Sequence, residues 1–317
     1  MTEPSFHLSG KSVWVAGHRG MVGSALCRRL ETAGCRIIVA DRSELDLTRQ
    51  ADVEAWMEAN KPQVVVVTAA KVGGIFANNE YPAAFIYENL AIGANIIEAA
   101  RKTGVEKLLY LGSSCVYPRL APQPISERSL LTGPLEPTNE WYAIAKIACL
   151  KLCQAYRRQF GCDFISAMPT NLFGPGDNYD LMTSHVVPAL IRKCHEAKVE
   201  KHSSIEVWGS GNPRREFLYV DDLADALVFL LEHYSDETPV NVGSGLDIPI
   251  RDLAALIGKV VNFEGEFQFN REMLDGTPRK LLDVGLLTEL GWHNARSLED
   301  ALHLTYEAFI REMNERS

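Results

Sequence analysis

The sequence predicts an α/β fold in which a doubly wound parallel sheet is joined to a smaller, mainly C-terminal α/β domain. Apolar, β-branched segments recur at residues 12–16, 36–40, 64–69, 107–112 and 163–168, with helical periodicity in the intervals between them. These segments are apolar throughout, which is typical of parallel strands buried on both faces. A chain of 317 residues is long enough for about two such domains.

Helices of the first half end at recognisable signals. Gly34, Gly104 and Gly161 follow three of the periodic segments, where a left-handed residue would cap a helix. The predicted helices cover residues 21–33, 51–60, 82–103 and 140–160. Five prolines between residues 118 and 139 exclude a regular element there and predict a long ordered loop with a functional role.

The second half has shorter elements. We predict helices at 184–197, 221–233, 250–260 and 298–315, strands at 205–208 and 239–242, and a turn at the sequence GSGNP. The helix at 221–233 and the strand at 239–242 resemble one more α/β unit, so we expect them to rejoin the first sheet. The first domain would then comprise residues 1–172 and about 216–246, and the second about 173–215 and 247–317.

Composition excludes several classes of protein. Hydrophobic residues make up 46% and charged residues 23%, as in soluble globular proteins. The net charge of −9 disfavours a nucleic-acid partner. No apolar run approaches the roughly 20 residues of a membrane span and the start has no signal-peptide pattern, so we expect a cytoplasmic protein. The seven scattered cysteines never form CxxC, and we expect free thiols and no metal site.

A glycine-rich loop follows the first predicted strand directly. Its sequence GHRGMVG places three glycines at a strand-to-helix turn, which permits a tight turn and close approach of a pyrophosphate to backbone N–H groups. The alternative is a glycine-rich turn without a ligand. The position at the first turn of a repeated βα pattern favours a Rossmann dinucleotide site. The residues predicted to bind this cofactor are Gly17, His18, Arg19, Gly20, Met21, Val22 and Gly23.

The choice of cofactor depends on three charged residues. Asp41 ends the second predicted strand, where an acidic residue accepts hydrogen bonds from the ribose of NAD. Arg42 is adjacent and Arg19 lies in the glycine loop, and two guanidinium groups suit the 2′-phosphate of NADP. We expect NADP(H), with NAD(H) as the alternative.

A second motif lies farther along the same predicted domain. Tyr142 and Lys146 are four residues apart on one helix and share a face, and Ser113 ends the strand at 107–112. A lysine beside a phenol lowers the pKa of the phenol from its ordinary value of about 10. Tyr142 is therefore predicted to donate or accept a proton near neutral pH. Ser113 would hydrogen-bond the same substrate oxygen.

The glycine loop, the strand-end serine and YxxxK together resemble the extended short-chain dehydrogenase/reductases. Over nearly the whole chain the sequence is similar to the GDP-L-fucose synthase family. The stretches that carry this likeness are AGHRGMVGS, AAKVGGI, GSSCVYP, EPTNE, MPTNL, WGSG and DGTPRKLLD.

This resemblance implies an activity. Members of the family convert GDP-4-keto-6-deoxy-D-mannose to GDP-L-fucose, by epimerisation at C3 and C5 and then reduction of the C4 ketone with NADPH. Removal of either proton leaves an enolate whose charge rests on O4, where Tyr142 and Ser113 would stabilise it. Inversion also needs a base and an acid on opposite faces of the sugar, and the resemblance assigns these roles to Cys115 and His185.

The resemblance also implies further binding residues. Beyond the glycine loop, Asp41 and Arg42, the cofactor residues are Leu111, Gly112, Ser113, Ser114, Lys146, Pro169, Thr170, Asn171, Leu172 and His185. The substrate residues are Lys193, Trp208, Arg215 and Asp275, and Arg279 and Lys280 are further candidates to neutralise the diphosphate. Helices 82–103 and 140–160 would pair with a second subunit in a homodimer.

Three alternatives remain at this stage. A 4,6-dehydratase needs an Asp-Glu pair after the strand-end hydroxyl, where this chain has Ser114, Cys115 and Val116. A 4-epimerase or 4-reductase acting on another nucleotide-sugar needs neither Cys115 nor His185. A non-catalytic NADPH-binding Rossmann protein would usually lack YxxxK.

Overall fold

The computed structural model of the protein describes residues 4–273 and 275–316. In chain order, its first half contains β1 (Ser12–Ala16), α1 (Met21–Glu31), β2 (Arg36–Ile38), α2 (Gln50–Asn60), β3 (Val64–Val67), α3 (Ile75–Glu80), α4 (Pro82–Lys102), β4 (Lys107–Leu111) and α5 (Glu140–Phe160). Its second half contains β5 (Phe164–Pro169), β6 (Asn171–Phe173), α6 (Val186–Glu200), β7 (Ser204–Trp208), β8 (Arg214–Tyr219), α7 (Val220–His233), β9 (Val240–Val242), β10 (Asp247–Pro249), α8 (Ile250–Val261), β11 (Glu266–Asn270), β12 (Arg279–Lys280), α9 (Gly285–Leu290) and α10 (Leu298–Arg316).

The central sheet has six parallel strands in the order β2-β1-β3-β4-β5-β9. The chain winds outward from β1 to β2 and then returns to the other side of β1 with β3. The predicted doubly wound sheet is therefore confirmed. Ligands of such sheets bind in the crevice where the order reverses, beyond the carboxyl ends of β1 and β3.

Successive residues of β1 face opposite layers of helices, as the strand period requires. Val15 packs in a cluster with Leu26 of α1 and Leu227 of α7. Trp14 packs in the other layer with Met57 of α2 and Ile96 of α4. The sheet is thus covered on both faces, which explains why its strands are continuously apolar.

The strand β9 rejoins the central sheet, as the sequence predicts. Val240 pairs with Ala167 of β5 in parallel register, and α7 packs against α1 beneath the same sheet. The remaining C-terminal elements form a separate core that includes Leu190, Ile257 and Leu302. Two small sheets border this core, one built on β8 with β6, β10 and β12, the other of β7 and β11.

Predicted and observed elements differ mainly in the second half. All predicted strands and helices are present, with ends shifted by up to three residues, for example at 184–197, which is α6. Between residues 118 and 139 the helical structure is limited to two short 3-10 turns, Glu127–Ser129 and Pro137–Asn139, so the predicted irregular loop is confirmed. The elements that the periodicity missed are α3, β6, β8, β10, β11, β12 and α9.

Candidate active site

The glycine loop between β1 and α1 can accept only glycine at two of its positions. A Cβ on Gly17, whose φ is +96°, would lie 2.6 Å from the backbone N of Ala69, and one on Gly23 would lie 2.1 Å from the carbonyl oxygen of Gly17. The helix α1 begins at Met21 with no side-chain cap and no acidic residue in its first turn. Its amino end is therefore available for an anion, and the loop fits the pyrophosphate of a dinucleotide.

Asp41 is the centre of a charged cluster near the end of β2. Arg19 Nη2 donates to its Oδ2 at 2.6 Å, and His18 Nε2 lies 3.3 Å from its Oδ1. Arg42 is exposed, and its charge acts on Asp46. Two of the predicted cofactor residues, Arg19 and Asp41, are thus paired with each other.

Ser113, Tyr142 and Lys146 come together beyond the carboxyl end of β4. Ser113 Oγ accepts a hydrogen bond from the Cys115 N–H at 3.2 Å and is hydrogen-bonded to the Tyr142 side chain. Lys146 is buried, and its Nζ donates to the carbonyl of Leu111 at 2.8 Å. Nζ lies 5.8 Å from the Tyr142 ring centroid. The structure thus brings the three predicted residues together.

The expectation that Lys146 lowers the pKa of Tyr142 is wrong. Burial and the charge of Cys115 raise the pKa of Tyr142 above its ordinary value, although the Ser113 hydrogen bond lowers it. Burial also lowers the pKa of Lys146, to about 8. The ammonium bonds to a backbone carbonyl rather than to the phenol, so desolvation dominates. Tyr142 is therefore a protonated phenol at neutral pH, which is the state required of a proton donor.

Cys115 lies close to two cationic side chains, Lys280 and Arg215. Its Sγ accepts a hydrogen bond from Lys280 Nζ at 3.4 Å. Burial raises the pKa of this thiol, but the charge of Lys280, hydrogen bonds from Ser113 and Lys280, and the charge of Arg215 together outweigh burial. The pKa of Cys115 therefore lies below its ordinary value, which favours the thiolate.

His185 comes immediately before α6 and remains exposed. The atoms packed around its ring and the positive charge of Lys280 lower the pKa of His185. Lys280 thus acts electrostatically on both Cys115 and His185, the two residues predicted to serve as base and acid.

The four predicted substrate residues form two pairs. Lys193 Nζ lies 5.2 Å from the ring centroid of Trp208 and donates to the carbonyl of Glu206 at 2.9 Å. Asp275 accepts hydrogen bonds from Ser210 N and Oγ at 2.6 and 2.7 Å, and it attracts the guanidinium of Arg215. Because Trp208 and Ser210 are two residues apart, both pairs lie along one stretch of chain.

The predicted cofactor residues at the ends of β4 and β5 are held tightly. A Cβ on Gly112 would lie 2.4 Å from Met168 Sδ. The Thr170 N–H donates to Val242, and Asn171 Nδ2 donates to the carbonyl of Glu216 at 2.8 Å. The buried residues of this group are Leu111, Gly112, Ser114, Pro169 and Thr170, and the partly exposed ones are Asn171 and Leu172.

Sequence reasoning missed two features of the site. Lys280, a candidate for the diphosphate, lies beside Cys115, whereas its neighbour Arg279 forms an ion pair with Asp247. The Oδ1 atom of Asn139 is buried without a hydrogen-bond partner among the described residues, in the wall of a cavity that Cys115 and Lys280 also line. The sequence offered one indication of Asn139, which is that it belongs to the EPTNE stretch.

Two absences concern the described residues alone. Within 4–273 and 275–316, no three or more His, Cys, Asp or Glu side chains are grouped so as to hold a metal ion. None of the helices in these ranges has both the length and the apolar character of a bilayer-spanning segment.

Comparison with known proteins identifies the family. The model of the NAD dependent epimerase/dehydratase family matches residues 13–243. The chain belongs to this family. A GDP-L-fucose synthase of Sinorhizobium fredii is 58% identical, covering 97% of this chain and 98% of that protein. A GDP-L-fucose synthase of Escherichia coli is 50% identical, covering 97% and 99%.

Comparison with solved structures agrees with this family assignment. The crystal structure of a GDP-L-fucose synthetase from Naegleria fowleri bound to NADP matches with a TM-score of 0.90 at 27% identity, covering 99% of this chain and 98% of that one. Members of the epimerase/dehydratase family use a nicotinamide dinucleotide. The glycine loop and the open amino end of α1 fit that cofactor.

Proposed function

We propose that the protein converts GDP-4-keto-6-deoxy-D-mannose to GDP-L-fucose, by epimerisation at C3 and C5 followed by NADPH-dependent reduction of the C4 ketone. The observation that carries the proposal is the position of Cys115, whose pKa is lowered, beside Ser113 and Tyr142. An epimerase of this kind needs a base next to the group that holds O4. The names of the most similar relatives support the same reaction.

The epimerisations are proton transfers through an enolate. The Cys115 thiolate takes the proton from the carbon beside the ketone, so that an S–H bond forms, a C–H bond breaks, and the electron pair moves onto O4. Tyr142 and Ser113 donate hydrogen bonds to the charge on O4. His185 returns a proton to the same carbon from the opposite face, which inverts that centre.

The reduction uses the same oxygen contacts. When bound, the reduced nicotinamide supplies the hydride that C4 accepts. Tyr142 donates its phenolic proton to O4 as the alcohol forms, and Ser113 keeps O4 in place. The nearby Lys146 ammonium offsets the negative charge that then remains on the phenol. One oxyanion site therefore serves both halves of the reaction.

Cofactor preference depends on the pair between Arg19 and Asp41. We propose NADP(H), with Arg19 released from Asp41 to hold the 2′-phosphate. Replacement Asp41→Asn frees the guanidinium and removes a repelling charge, so we expect the ratio of NADPH to NADH affinity to rise by about tenfold. Titration of NADPH and NADH fluorescence on the purified protein measures both dissociation constants.

The control for this change removes a remote acid. Glu58 lies on α2, is exposed, and pairs with Lys61, so Glu58→Gln should leave the affinity ratio unchanged. Arg19→Ala should weaken NADPH binding more than NADH binding. An affinity ratio that stays constant in Asp41→Asn contradicts the proposed competition for Arg19.

The proposed reaction is tested by isotope exchange. Purified protein is incubated with GDP-4-keto-6-deoxy-D-mannose in deuterated water, first without a reduced cofactor and then with NADPH or NADH. We expect deuterium at both C3 and C5 by NMR, and GDP-L-fucose after NADPH is added. Consumption of NADPH without exchange at C3 and C5 would point to a 4-reductase, and neither exchange nor consumption would overturn the proposal.

The remaining parts of the proposal concern organisation. Residues 1–172 with about 216–246 bind the dinucleotide, and residues about 173–215 with 247–317 bind the nucleotide-sugar.

Two subunits pair through α4 and α5, whose exposed aromatic residues include Tyr87 and Trp141. All seven cysteines are free, as expected of a reducing compartment such as the cytoplasm.

A further inference from the structure

Lys280 reaches Cys115 from a distant part of the chain. The strand β12 runs parallel to β8 with Lys280 opposite Arg215, and this pairing brings Lys280 Nζ within 3.4 Å of Cys115 Sγ, 165 residues away in sequence. The preceding residue, Arg279, is instead paired with Asp247. The two adjacent cations therefore have different partners, and Lys280 is directed into the site.

Cys115 differs from every other cysteine of the chain. Burial raises the pKa of the other six thiols, and Cys115 alone has a lowered pKa although burial opposes it too. The six are Cys27, Cys35, Cys149, Cys153, Cys162 and Cys194.

Charged and titratable groups from several elements surround the Cys115 sulfur. Those with the largest effects on it are Lys280 from β12 and Arg215 from β8, and the Tyr142 phenol of α5 and the Ser113 hydroxyl are also close. Arg119, Glu136 and Arg279 line the same cavity, where Glu136 offsets part of the charge of Arg215. Tyr142 carries no positive charge, and Arg215 contributes less than Lys280 to the lowered pKa of Cys115. Lys280 is therefore the principal cation of this sulfur.

We propose that Lys280 is a positioning residue for the epimerisations: its ammonium pairs with the Cys115 sulfur and faces His185, and so holds the sulfur as the anion that accepts the carbon-bound proton. This role rests on the proposed function. Lys280 itself gives up no proton, since it acts by charge alone. The reduction does not depend on it, because O4 is held by Tyr142 and Ser113.

One positive charge between two titrating groups has a specific signature. Lys280 favours the thiolate of Cys115 and disfavours the imidazolium of His185, so it lowers the pKa of both. Deuterium incorporation with inversion at C3 and C5 needs the thiolate and the imidazolium, and it therefore follows a bell-shaped pH profile. Loss of the charge should move both limbs of that profile to higher pH. Loss of structure alone would lower the profile without moving it.

The first test does not depend on catalysis. We compare the wild type, Lys280→Met and Lys280→Arg by the rate at which iodoacetamide alkylates Cys115, followed by peptide mass spectrometry across a pH series. In Lys280→Met we expect the rate at neutral pH to fall by about tenfold or more and its midpoint to move to higher pH. Lys280→Arg keeps the charge and should stay near the wild type.

Controls separate charge from folding. Lys259→Met removes an exposed lysine that pairs with Glu299 and should not change alkylation of Cys115. The partly exposed Cys27, Cys35 and Cys162 serve as internal references in each sample. Lys280→Gln is a second neutral variant should Lys280→Met not fold. An unchanged alkylation midpoint in a folded neutral variant overturns the inference, as does an equal loss in Lys280→Arg.

The second test measures the pH profile of deuterium incorporation into the inverted products in the same variants. We expect the profile of Lys280→Met to move to higher pH and that of Lys280→Arg to stay in place. A profile that is lowered without being moved overturns the proposed role. If the wild type exchanges no deuterium, the proposed function fails, and with it the role of Lys280. An unchanged alkylation midpoint in Lys280→Met overturns the inference about Lys280 and leaves the proposed function standing.

Discussion

Tyr142→Phe should lower the rate of NADPH-dependent ketone reduction by about 10²- to 10⁴-fold, the usual range for loss of a positioned proton donor. The phenol is protonated at neutral pH, because burial raises the pKa of Tyr142, and it is hydrogen-bonded to Ser113. Phenylalanine keeps the ring and its edge contact with Phe85 but has no proton for O4. Single-turnover decay of NADPH absorbance with saturating substrate measures the loss.

A matched substitution shows whether the effect belongs to the site. Tyr306 lies on α10, where its hydroxyl is hydrogen-bonded to His195, and Tyr306→Phe should leave the rate within about twofold because it loses one such bond. The NADPH dissociation constant should be unchanged in Tyr142→Phe. A reduction rate within tenfold of the wild type would mean that another group protonates O4.

The second large effect is expected for Cys115→Ser. Deuterium exchange at C3 and C5 should fall by about 10²-fold or more, because a serine hydroxyl stays protonated where the Cys115 thiol ionises. Affinity for NADPH should be unchanged. NMR of the exchange reaction measures the loss. When NADPH is added, the amount of GDP-L-fucose formed should be smaller than the amount of NADPH consumed.

The control for this variant is Cys162→Ser, since Cys162 is partly exposed and burial raises its pKa. It should exchange deuterium like the wild type. Normal exchange at both carbons in Cys115→Ser would remove this thiol from the mechanism. A 4-epimerase acting on another nucleotide-sugar would then become the better assignment.

The fold was predictable where the signal is local. The strands β1, β3 and β4 are short, mainly apolar segments that alternate with helices of clear periodicity, so each can be predicted from its own sequence. The strand β8 does not, because its sequence RREFLY mixes charged and apolar residues. It is a strand because it pairs with β6, β10 and β12, which are distant in the chain. A strand that is stabilised mainly by pairing with distant segments need not show a periodic pattern in its own sequence.

The candidate site divides in the same way. Spacing alone placed Tyr142 and Lys146 on one face of α5, and the glycine pattern located the turn before α1. Spacing did not reveal that the Lys146 ammonium would bond to the Leu111 carbonyl rather than approach the phenol. It also did not reveal that burial would raise the pKa of Tyr142. Both depend on which atoms surround the group after folding.

The sequence by itself determined the alternation of strands and helices, the position of the glycine-rich loop, and the residue types available for chemistry. The tertiary structure decided which of those residues meet. Cys115 and Lys280 are 165 residues apart and in contact, and Arg19 is paired with Asp41. Charge and desolvation act through space, so the pKa values that govern catalysis follow from neighbours that only folding supplies.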